Sequence, residues 1–307
     1  MTDAVLVLGA GGFVGSHVVR ALTRRGQDVI AASRSPLQIE FGVETCVGEF
    51  SDPEDYIPLL RRSRAVIHLA SASTPGSSAA QPMRELEENL RPLLALLQAM
   101  QGNPAIPLIY VSSGGTLYSC EHGNAADEAT PISPRSYHGA GKIAAEHFIA
   151  AWCNQFAASA TILRPSNLYG PGQPERTGFG IVPAAMGKIL RDETLHIWGD
   201  GSAERDYLYI GDFISLCLAV IDGPPRSGAR VLNACSGTSI SLNTLLDEIE
   251  RVADRPLTRA YDASRAVDVP KVTMRASLAQ QLYGWSAGTS LREGLERTWQ
   301  WFSTSPR

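Results

Sequence analysis

The chain has 307 residues, of which 44% are apolar and 19% are charged. A chain of this length can bury a core large enough to fold without cross-links, and it is long enough for two structural units. The 27 basic and 31 acidic residues are well mixed, which excludes nucleic acid as the main partner. The longest apolar stretches, such as residues 214–221, fall far short of the roughly 20 residues that a membrane span needs.

The short apolar runs and the longer helical patterns alternate through the first half of the chain. Strand-like runs occupy residues 4–8, 28–32, 65–69, 108–112 and 160–163, and helical patterns occupy residues 15–25, 84–100 and 142–155. The runs are continuously apolar, as in a parallel sheet that is covered on both faces. This order predicts an α/β fold with a doubly wound parallel sheet.

A glycine-rich turn connects the first apolar run to the first helical pattern. It contains Gly9, Gly12 and Gly15, with Phe13 and Val14 opening the helix. A dinucleotide pyrophosphate approaches bare backbone and rests on a helix N-terminus, and both requirements favour glycine here. The turn therefore predicts a Rossmann domain that binds a dinucleotide cofactor.

The chain changes character after Arg164. Glycine and proline become frequent, the strict alternation is lost, and a strand at 231–234 and a C-terminal helix follow. We expect the dinucleotide-binding domain to span residues 1–165 plus about 207–235. A smaller C-terminal substrate-binding lid then takes about 166–206 plus 236–307.

The end of the second strand indicates which dinucleotide is bound. NAD-binding sheets carry an acidic residue there that binds the adenosine ribose, whereas this chain has Ser33 and Arg34. A hydroxyl and a guanidinium suit a 2′-phosphate, so NADP(H) is favoured, with NAD(H) as the alternative. Further candidate cofactor residues are Glu49 and Phe50 near the adenine, and Leu69, Ala70 and Ser71 beside the phosphates.

The cysteines and histidines predict neither a disulfide framework nor a metal site. Five cysteines are widely spaced and form no C-x-x-C pair, namely Cys46, Cys120, Cys153, Cys217 and Cys235. The histidines show no ligand spacing. The N-terminal residues lack the positive region of a secretory signal. We therefore expect a cytoplasmic protein with reduced thiols.

Several motifs occur in order along the chain. They are the glycine turn, His68-Leu69-Ala70, Asn89, residues 112–118, Lys142, residues 164–172 and residues 199–207. With these motifs the chain resembles the nucleotide-sugar epimerase/dehydratase group of the extended short-chain dehydrogenase/reductase family. The resemblance implies an NAD(P)-dependent oxidoreductase and a homodimer formed through helices 84–100 and 142–155. It adds Asn89, Ser112, Lys142 and Pro165 to the expected cofactor contacts.

The same resemblance implies a set of substrate residues. Asn167, Arg205 and Arg265 lie where this family grips the diphosphate of a nucleotide sugar, and guanidinium forks match phosphate oxygens. His196 and Trp198 occupy positions that border the nucleobase through their backbone groups. Gly114 and Ile181 complete the set. Gly180 departs from the family, because many members place a polar residue there.

The catalytic positions also depart from the family, which uses a Ser/Thr hydroxyl, a Tyr and a Lys four residues after that Tyr. Here Tyr137 lies five residues before Lys142, and His138 lies four before it. On a helix, five steps separate two side chains by about 140° and four steps by about 40°. We therefore expect His138 to replace the tyrosine. The usual hydroxyl slot holds Gly114, and Thr116 shares its face if this stretch is extended.

Histidine is a competent general acid and base, and a neighbouring ammonium at Lys142 lowers its pKa. The hypothesis is that His138 relays the proton. The alternatives are a degenerate site, or a proton supplied by substrate, water or Tyr137.

Three functions remain open from the sequence. The favoured one is reduction of a keto-sugar nucleotide, or of another small carbonyl substrate, by NADPH. The second is nucleotide-sugar 4-epimerisation. The third is a catalytically impaired protein that only binds dinucleotide and nucleotide sugar. A 4,6-dehydratase is disfavoured, because Gly115 and Thr116 stand where that branch carries Asp and Glu.

Overall fold

The computed structural model describes residues 3–37, 42–73, 81–118, 125–176, 180–264 and 270–304. The strands are β1 (Ala4–Leu8), β2 (Val29–Ser33), β3 (Glu44–Val47), β4 (Ser63–His68), β5 (Leu108–Val111), β6 (Ser159–Pro165), β7 (Asn167–Tyr169), β8 (Leu195–Trp198), β9 (Glu204–Tyr209), β10 (Gly228–Ala234), β11 (Ser239–Ser241) and β12 (Arg259–Asp262). The helices are α1 (Phe13–Arg24), α2 (Pro53–Leu60), α3 (Pro82–Glu85), α4 (Arg91–Met100), α5 (Tyr137–Phe156), α6 (Ile181–Arg191), α7 (Ile210–Asp222), α8 (Leu242–Ala253), α9 (Ser277–Tyr283) and α10 (Leu291–Thr304). A π-helical turn, Leu86–Leu90, joins α3 to α4.

The first of two compact units comprises Met1–Ser113, Ser136–Arg164 and Ile214–Leu232. Its sheet has seven strands in the order β10-β6-β5-β4-β1-β2-β3. The pairs from β6 through β3 are parallel, and β1 lies between β4 and β2, so the strand order reverses at β1. The predicted doubly wound α/β sheet is confirmed.

The core of this unit follows from the apolar spacing of its helices. Leu93, Leu97 and Met100 of α4 recur every three or four residues and are buried, together with Ile149 and Trp152 of α5. Burying each such side chain contributes about 1.5–3 kcal/mol to folding. These contacts fix α5, and therefore the residues that it carries, against the sheet.

Strand β3 and helix α5 are among the elements that differ from the sequence expectation. Strand β3 was not predicted, because it is an edge strand whose residues are mostly exposed and lack a continuous apolar run. Helix α5 begins five residues earlier than the predicted start at Lys142. Ser136 caps it, since its Oγ accepts a hydrogen bond of 3.1 Å from the Gly139 amide.

The second unit comprises Gly114–Arg135, Pro165–Phe213 and Asn233–Arg307. It contains a three-stranded sheet, β11-β9-β7, and a two-stranded sheet, β12-β8. Helices α6, α8 and α10 supply its core, which includes Met186, Ile249 and Leu295. The assignment of one unit to dinucleotide binding and the other to substrate binding stays a prediction here.

A buried asparagine holds the 114–135 segment inside the second unit. Asn233 has no exposed surface, and its Oδ1 accepts a hydrogen bond of 2.8 Å from the Tyr118 hydroxyl. Its Nδ2 donates to the carbonyl oxygens of Ala126 and Arg275. Because buried amide groups must be paired, this set of bonds specifies where the segment docks.

Candidate active site

The glycine turn between β1 and α1 has the geometry of a phosphate-binding loop. Gly9 has a φ of +85°, and a Cβ at this position would lie 2.6 Å from the Ala70 amide nitrogen, so no other residue fits. The N-cap of α1 is Gly12, and none of the described side chains caps the helix. The exposed N-terminus of this 12-residue helix fits a pyrophosphate. The same packing brings Leu69 and Ala70 beside the turn.

The end of β2 also reaches this turn. A Cβ on Gly11 would lie 3.2 Å from Ser33 Oγ, so the Ser33 hydroxyl lies next to the glycine loop. Arg34 and Glu49 are exposed. Phe50 is buried and packs against Tyr56, with ring centroids 5.7 Å apart. The side chain of Phe50 is therefore part of the core. A bound adenine would contact exposed residues near Phe50, such as Glu49, and not the Phe50 ring.

Helix α5 presents His138 and Lys142 to the interior and Tyr137 to the outside. His138 and Lys142 are 8% and 7% exposed, whereas Tyr137 is 45% exposed. Lys142 Nζ donates a 2.9 Å hydrogen bond to the Val111 carbonyl and lies 5.0 Å from the centroid of the Tyr110 ring. Both contacts place the ammonium at the carboxyl end of β5, which is the edge where doubly wound sheets bind ligands.

The ionisation of these buried groups follows from desolvation and from their neighbours. Burial lowers the pKa of Lys142 to about 8, although the carboxylates of Glu85 and Glu146 oppose the shift. Burial, and then the Lys142 ammonium, lowers the pKa of His138, while Glu85 opposes that shift. The same two causes lower the pKa of His68 to about 3. At neutral pH the His138 imidazole is therefore neutral and Lys142 is mostly charged.

A network that the sequence did not predict surrounds the His138 ring. Ser73 Oγ is hydrogen-bonded to His138 Nδ1 at 3.0 Å, and it accepts a 2.8 Å hydrogen bond from Asn89 Nδ2. Asn89 Nδ2 also lies 2.8 Å from Glu85 Oε2, and its Oδ1 accepts from the Ala72 amide. The other Glu85 oxygen, Oε1, lies 3.8 Å from His138 Nδ1. Asn89, expected to contact the cofactor, here orients two residues beside the imidazole.

A buried ion pair lies one turn farther along α5. Glu146 accepts two hydrogen bonds from the Arg164 guanidinium, at 3.0 and 2.5 Å, and one of 2.5 Å from the Ser112 hydroxyl. Both charged side chains are at most 7% exposed. The bidentate geometry joins α5 to the adjacent strand β6. The Ser112 hydroxyl, expected to contact the cofactor, is engaged in this pair.

The remaining predicted residues lie in the second unit. Asn167 Nδ2 donates to the Asp206 carbonyl, and Arg205 lies two residues before the strand partner of Asn167. His196 and Trp198 are exposed on β8, Ile181 opens α6, and Gly114 is buried and donates its amide to Pro165. Arg265 lies outside the described residues.

The expectation for Thr116 needs correction. Residues 114–117 form a turn, in which the Leu117 amide bonds to the Gly114 carbonyl, rather than an extended strand. The alternation rule holds only for extended backbone, so it no longer places the Thr116 side chain on the face of Gly114. The hydroxyl role of Thr116 has lost the argument on which it was based.

Comparison with known proteins decides the family. The family model described as NAD dependent epimerase/dehydratase family matches residues 5–235. The chain belongs to this family. A putative UDP-glucose 4-epimerase of Methanocaldococcus jannaschii is 27% identical, with 99% of both chains covered. A dTDP-4-dehydro-6-deoxy-D-allose reductase from Streptomyces is 28% identical, with 99% of this chain and 97% of that one covered.

Solved structures agree with the family assignment. The crystal structure of Thermus thermophilus UDP-glucose 4-epimerase in complex with NAD superposes with a TM-score of 0.91 at 25% identity, covering 99% of this chain and 100% of that one. The resemblance inferred from the motifs is therefore confirmed for the epimerase/dehydratase family as a whole. Among the described residues, no helix combines the length and the apolar character needed to cross a membrane.

Glu85 and Ser73 are the functional candidates that sequence reasoning missed. The sequence indicates Glu85 only weakly, as a carboxylate within the helical pattern of residues 84–100. It does not indicate Ser73, since the contact of Ser73 with His138 joins positions 65 residues apart.

Proposed function

We propose that this protein is a nucleotide-sugar epimerase that binds a nicotinamide dinucleotide and begins by oxidising a ring hydroxyl. The observation that carries the proposal is the buried, neutral imidazole of His138 beside the Lys142 ammonium. A neutral imidazole is ready to accept a proton, which is what alcohol oxidation requires of the protein. Relatives named UDP-glucose 4-epimerase support the same choice.

The chain's own residues account for the proton transfers. When bound, the dinucleotide supplies the hydride acceptor and donor. His138 takes the proton of the substrate hydroxyl as the carbonyl forms, and the imidazolium returns it to the oxygen on the way back. Lys142, held by the Val111 carbonyl, places a positive charge at this edge and favours the developing alkoxide. Nε2 is the exchanging nitrogen, because Nδ1 is bonded to Ser73.

The proposed cofactor site consists of the glycine turn and its neighbours. The bare N-terminus of α1 would hold the pyrophosphate, and Ser33 would face the adenosine ribose. The solved relative binds NAD. The proposed preference for NADP(H) over NAD(H) rests on Arg34 at the end of β2.

Arg34 gives that preference a direct test. A guanidinium that meets a 2′-phosphate contributes about 1.5–3 kcal/mol, so Arg34→Ala is expected to weaken NADPH binding about tenfold or more. NADH lacks this phosphate, and its dissociation constant should change by less than about twofold. Fluorescence titration with both nucleotides measures the difference. Arg20→Ala, an exposed cation on α1, is the control. Equal losses for NADPH and NADH would contradict the preference.

Unit 2 supplies the proposed substrate contacts. Asn167 and Arg205 share the β11-β9-β7 sheet and would bind the diphosphate. His196 and Trp198 would border the nucleobase from β8. Gly114, Ile181 and Arg265 stay in this set on the family resemblance alone.

The second candidate function is reduction of a keto-sugar nucleotide by NADPH. It is favoured by the similarity to dTDP-4-dehydro-6-deoxy-D-allose reductase and by Arg34 at the end of β2. The third candidate, a binding protein without turnover, follows only from the atypical catalytic residues.

Two incubations separate these candidates. The protein is incubated with UDP-glucose and NAD⁺, and the sugar is followed by NMR while nicotinamide absorbance is recorded. The epimerase converts the sugar with no net change in absorbance. In the second incubation, with NADPH and a 4-keto sugar nucleotide, a reductase oxidises NADPH in a 1:1 ratio with the sugar, because each carbonyl takes up one hydride. Thermal stabilisation by both ligands without any conversion would leave only the binding protein.

We also propose a homodimer, because α5 carries a second apolar face that is exposed. Tyr137, Ala140, Phe148 and Ala151 are exposed on α5, and Ala144 between them is half-buried. Their spacing of three or four residues makes one continuous stripe, the pattern of a helix that packs against another helix. Exposed apolar residues of α3 and the π-helical turn, Met83 and Leu86, add to the apolar surface.

Phe148→Glu is expected to shift the protein from dimer to monomer. Symmetry places the change on both sides of the interface, and each buried Phe contributes about 1.5–3 kcal/mol, so the dissociation constant should rise at least about 100-fold. Light scattering after size-exclusion chromatography measures the mass. Gln280→Glu adds the same charge at an exposed position of α9 and should leave the dimer intact. A Phe148→Glu protein with the mass of a dimer would refute this interface.

A further inference from the structure

Glu85 is a buried carboxylate that takes no part in the proton transfers proposed above. The residue is 5% exposed. Its Oε2 accepts a hydrogen bond from Asn89, whereas Oε1 has no hydrogen-bond partner among the described residues. A buried carboxylate oxygen without a partner is costly, so its position calls for an explanation.

The Glu85 carboxylate lies against α5, with Oε1 near the imidazole. A Cβ on Gly141 would lie 3.0 Å from Glu85 Oε2, so the glycine leaves room for the carboxylate beside α5. Oε1 then lies 3.8 Å from His138 Nδ1, which is a charge contact rather than a hydrogen bond. Asn89 holds both Glu85 and Ser73 and thereby fixes their distance from the ring.

This arrangement favours one tautomer of the neutral ring. A negative charge beside Nδ1 stabilises a proton on that nitrogen, and the Ser73 hydroxyl oxygen can accept it at 3.0 Å while also accepting from Asn89. With the proton on Nδ1, Nε2 carries the lone pair. The opposite tautomer would place a proton on Nε2 and leave the ring unable to act there as a base.

We propose that Glu85 is a positioning residue that keeps the proton of neutral His138 on Nδ1, so that Nε2 presents its lone pair to the substrate hydroxyl. The catalytic part of this inference rests on the proposed function. When the hydroxyl proton moves to Nε2, the O–H bond breaks, an N–H bond forms, and the imidazolium charge lies beside the Glu85 carboxylate. The return transfer restores the same tautomer.

The protonation of the His138 ring also depends on the other charged groups near it. Lys142, on the same helix, acts against the imidazolium, whereas Glu85 acts in its favour from α3. Glu146 on α5 favours the charged form of Lys142, and Lys142 in turn lowers the pKa of His68 on β4. Among these groups, Glu85 is the negative charge that lies within 3.8 Å of the ring. Its removal is therefore expected to change both the tautomer and the acid limb of the activity profile.

The first test reads the ring directly, without substrate or cofactor. ¹⁵N-histidine NMR of the wild-type protein, with the His138 signals assigned by their loss in His138→Ala, should show a proton on Nδ1. In Glu85→Gln the new amide can donate to Nδ1, so the Nε2–H tautomer should become the major form. Glu85→Asp, which keeps the charge, should retain the Nδ1–H form. Glu88→Gln removes a charge that is paired with Arg84 and should match the wild type.

The second test is the pH profile of turnover in the oxidising direction. Removing the carboxylate lowers the pKa of His138, so the acid limb of kcat in Glu85→Gln should move to lower pH. The plateau should fall about tenfold or more, because the base tautomer is depleted. Glu85→Asp should recover part of the loss, and Glu88→Gln should lose nothing.

The outcomes distinguish this inference from the function on which it rests. A wild-type His138 that carries its proton on Nε2 overturns the inference, even if Glu85→Gln does not fold. An unchanged tautomer and an unchanged acid limb in a folded Glu85→Gln protein overturn it as well. Full turnover in His138→Ala instead removes the proposed proton relay, whatever the NMR spectra show for Glu85.

Discussion

His138→Ala is expected to lower kcat for the proposed sugar oxidation by about 10²–10⁴-fold, the usual contribution of a general base. The imidazole is buried, neutral and adjacent to the Lys142 ammonium, and alanine offers no atom that can take the proton. Binding of the dinucleotide and the nucleotide sugar should change little. Steady-state rates, with dissociation constants measured separately, show whether the loss lies in kcat.

Tyr137→Phe tests whether Tyr137, and not His138, acts as the catalytic tyrosine that the family normally uses. Tyr137 is 45% exposed at the start of α5, whereas His138 is buried and hydrogen-bonded to Ser73. We expect kcat to change by less than about twofold. A large loss in Tyr137→Phe together with a small one in His138→Ala would reverse the two roles and invalidate the proposed relay.

The pH dependence of this step has a definite sign. Histidine has an ordinary pKa of about 6.5, and the buried ring next to Lys142 titrates below it. Because the base form is needed for oxidation, kcat should stay level as the pH falls through 6.5, about where an ordinary histidine loses activity. If the acid limb of the wild-type kcat profile lay at or above about pH 6.5, the lowered pKa of His138 would be contradicted.

Glu146→Ala is expected to lower the free energy of unfolding by about 3–5 kcal/mol, the usual cost of removing one partner of a buried ion pair. Arg164 would keep its charge at 6% exposure with two hydrogen bonds lost, and the Ser112 hydroxyl would lose its acceptor. Urea denaturation followed by circular dichroism measures the change, and the slope of the transition checks that unfolding stays two-state.

Glu296→Ala is the matched control for this prediction. Glu296 is paired with Arg292 on α10 at 3.0 Å, but both side chains are at least half exposed. Exposed pairs contribute about 0–1 kcal/mol, so the two variants should differ several-fold in their effect. Similar small losses would show that the Glu146 pair is as well solvated as a surface pair.

Local patterns in the sequence predicted the parts of the fold that depend on apolar runs. Strand β1 begins and ends where the run of residues 4–8 placed it, and the glycine turn follows it. Strand β3 was missed because an edge strand can satisfy its backbone with few apolar side chains. The start of α5 was missed because Gly139 and Gly141 weaken the helical pattern, while the cap at Ser136 and tertiary packing override that weakness.

The candidate site was predicted from the sequence only where its residues belong to one local element. Helical spacing alone indicated that His138 and Lys142 lie on one side of α5, since both belong to one local element. The partners of the ring come from distant positions, Ser73 and Glu85, and a chain of hydrogen bonds through Asn89 is visible only after folding. Thr116 illustrates the opposite error, because an assumed extended backbone is in fact a turn.

The π-helical turn Leu86–Leu90 sets the rotational phase between α4 and α3. Its hydrogen bonds span one residue more than those of an α-helix, so it accommodates one additional position. If all of these residues took regular α-helical geometry instead, the additional residue would rotate α3 by about 100° relative to α4. The wider turn absorbs that rotation, so α4 can keep its leucines in the core while Glu85 stays beside Gly141 of α5.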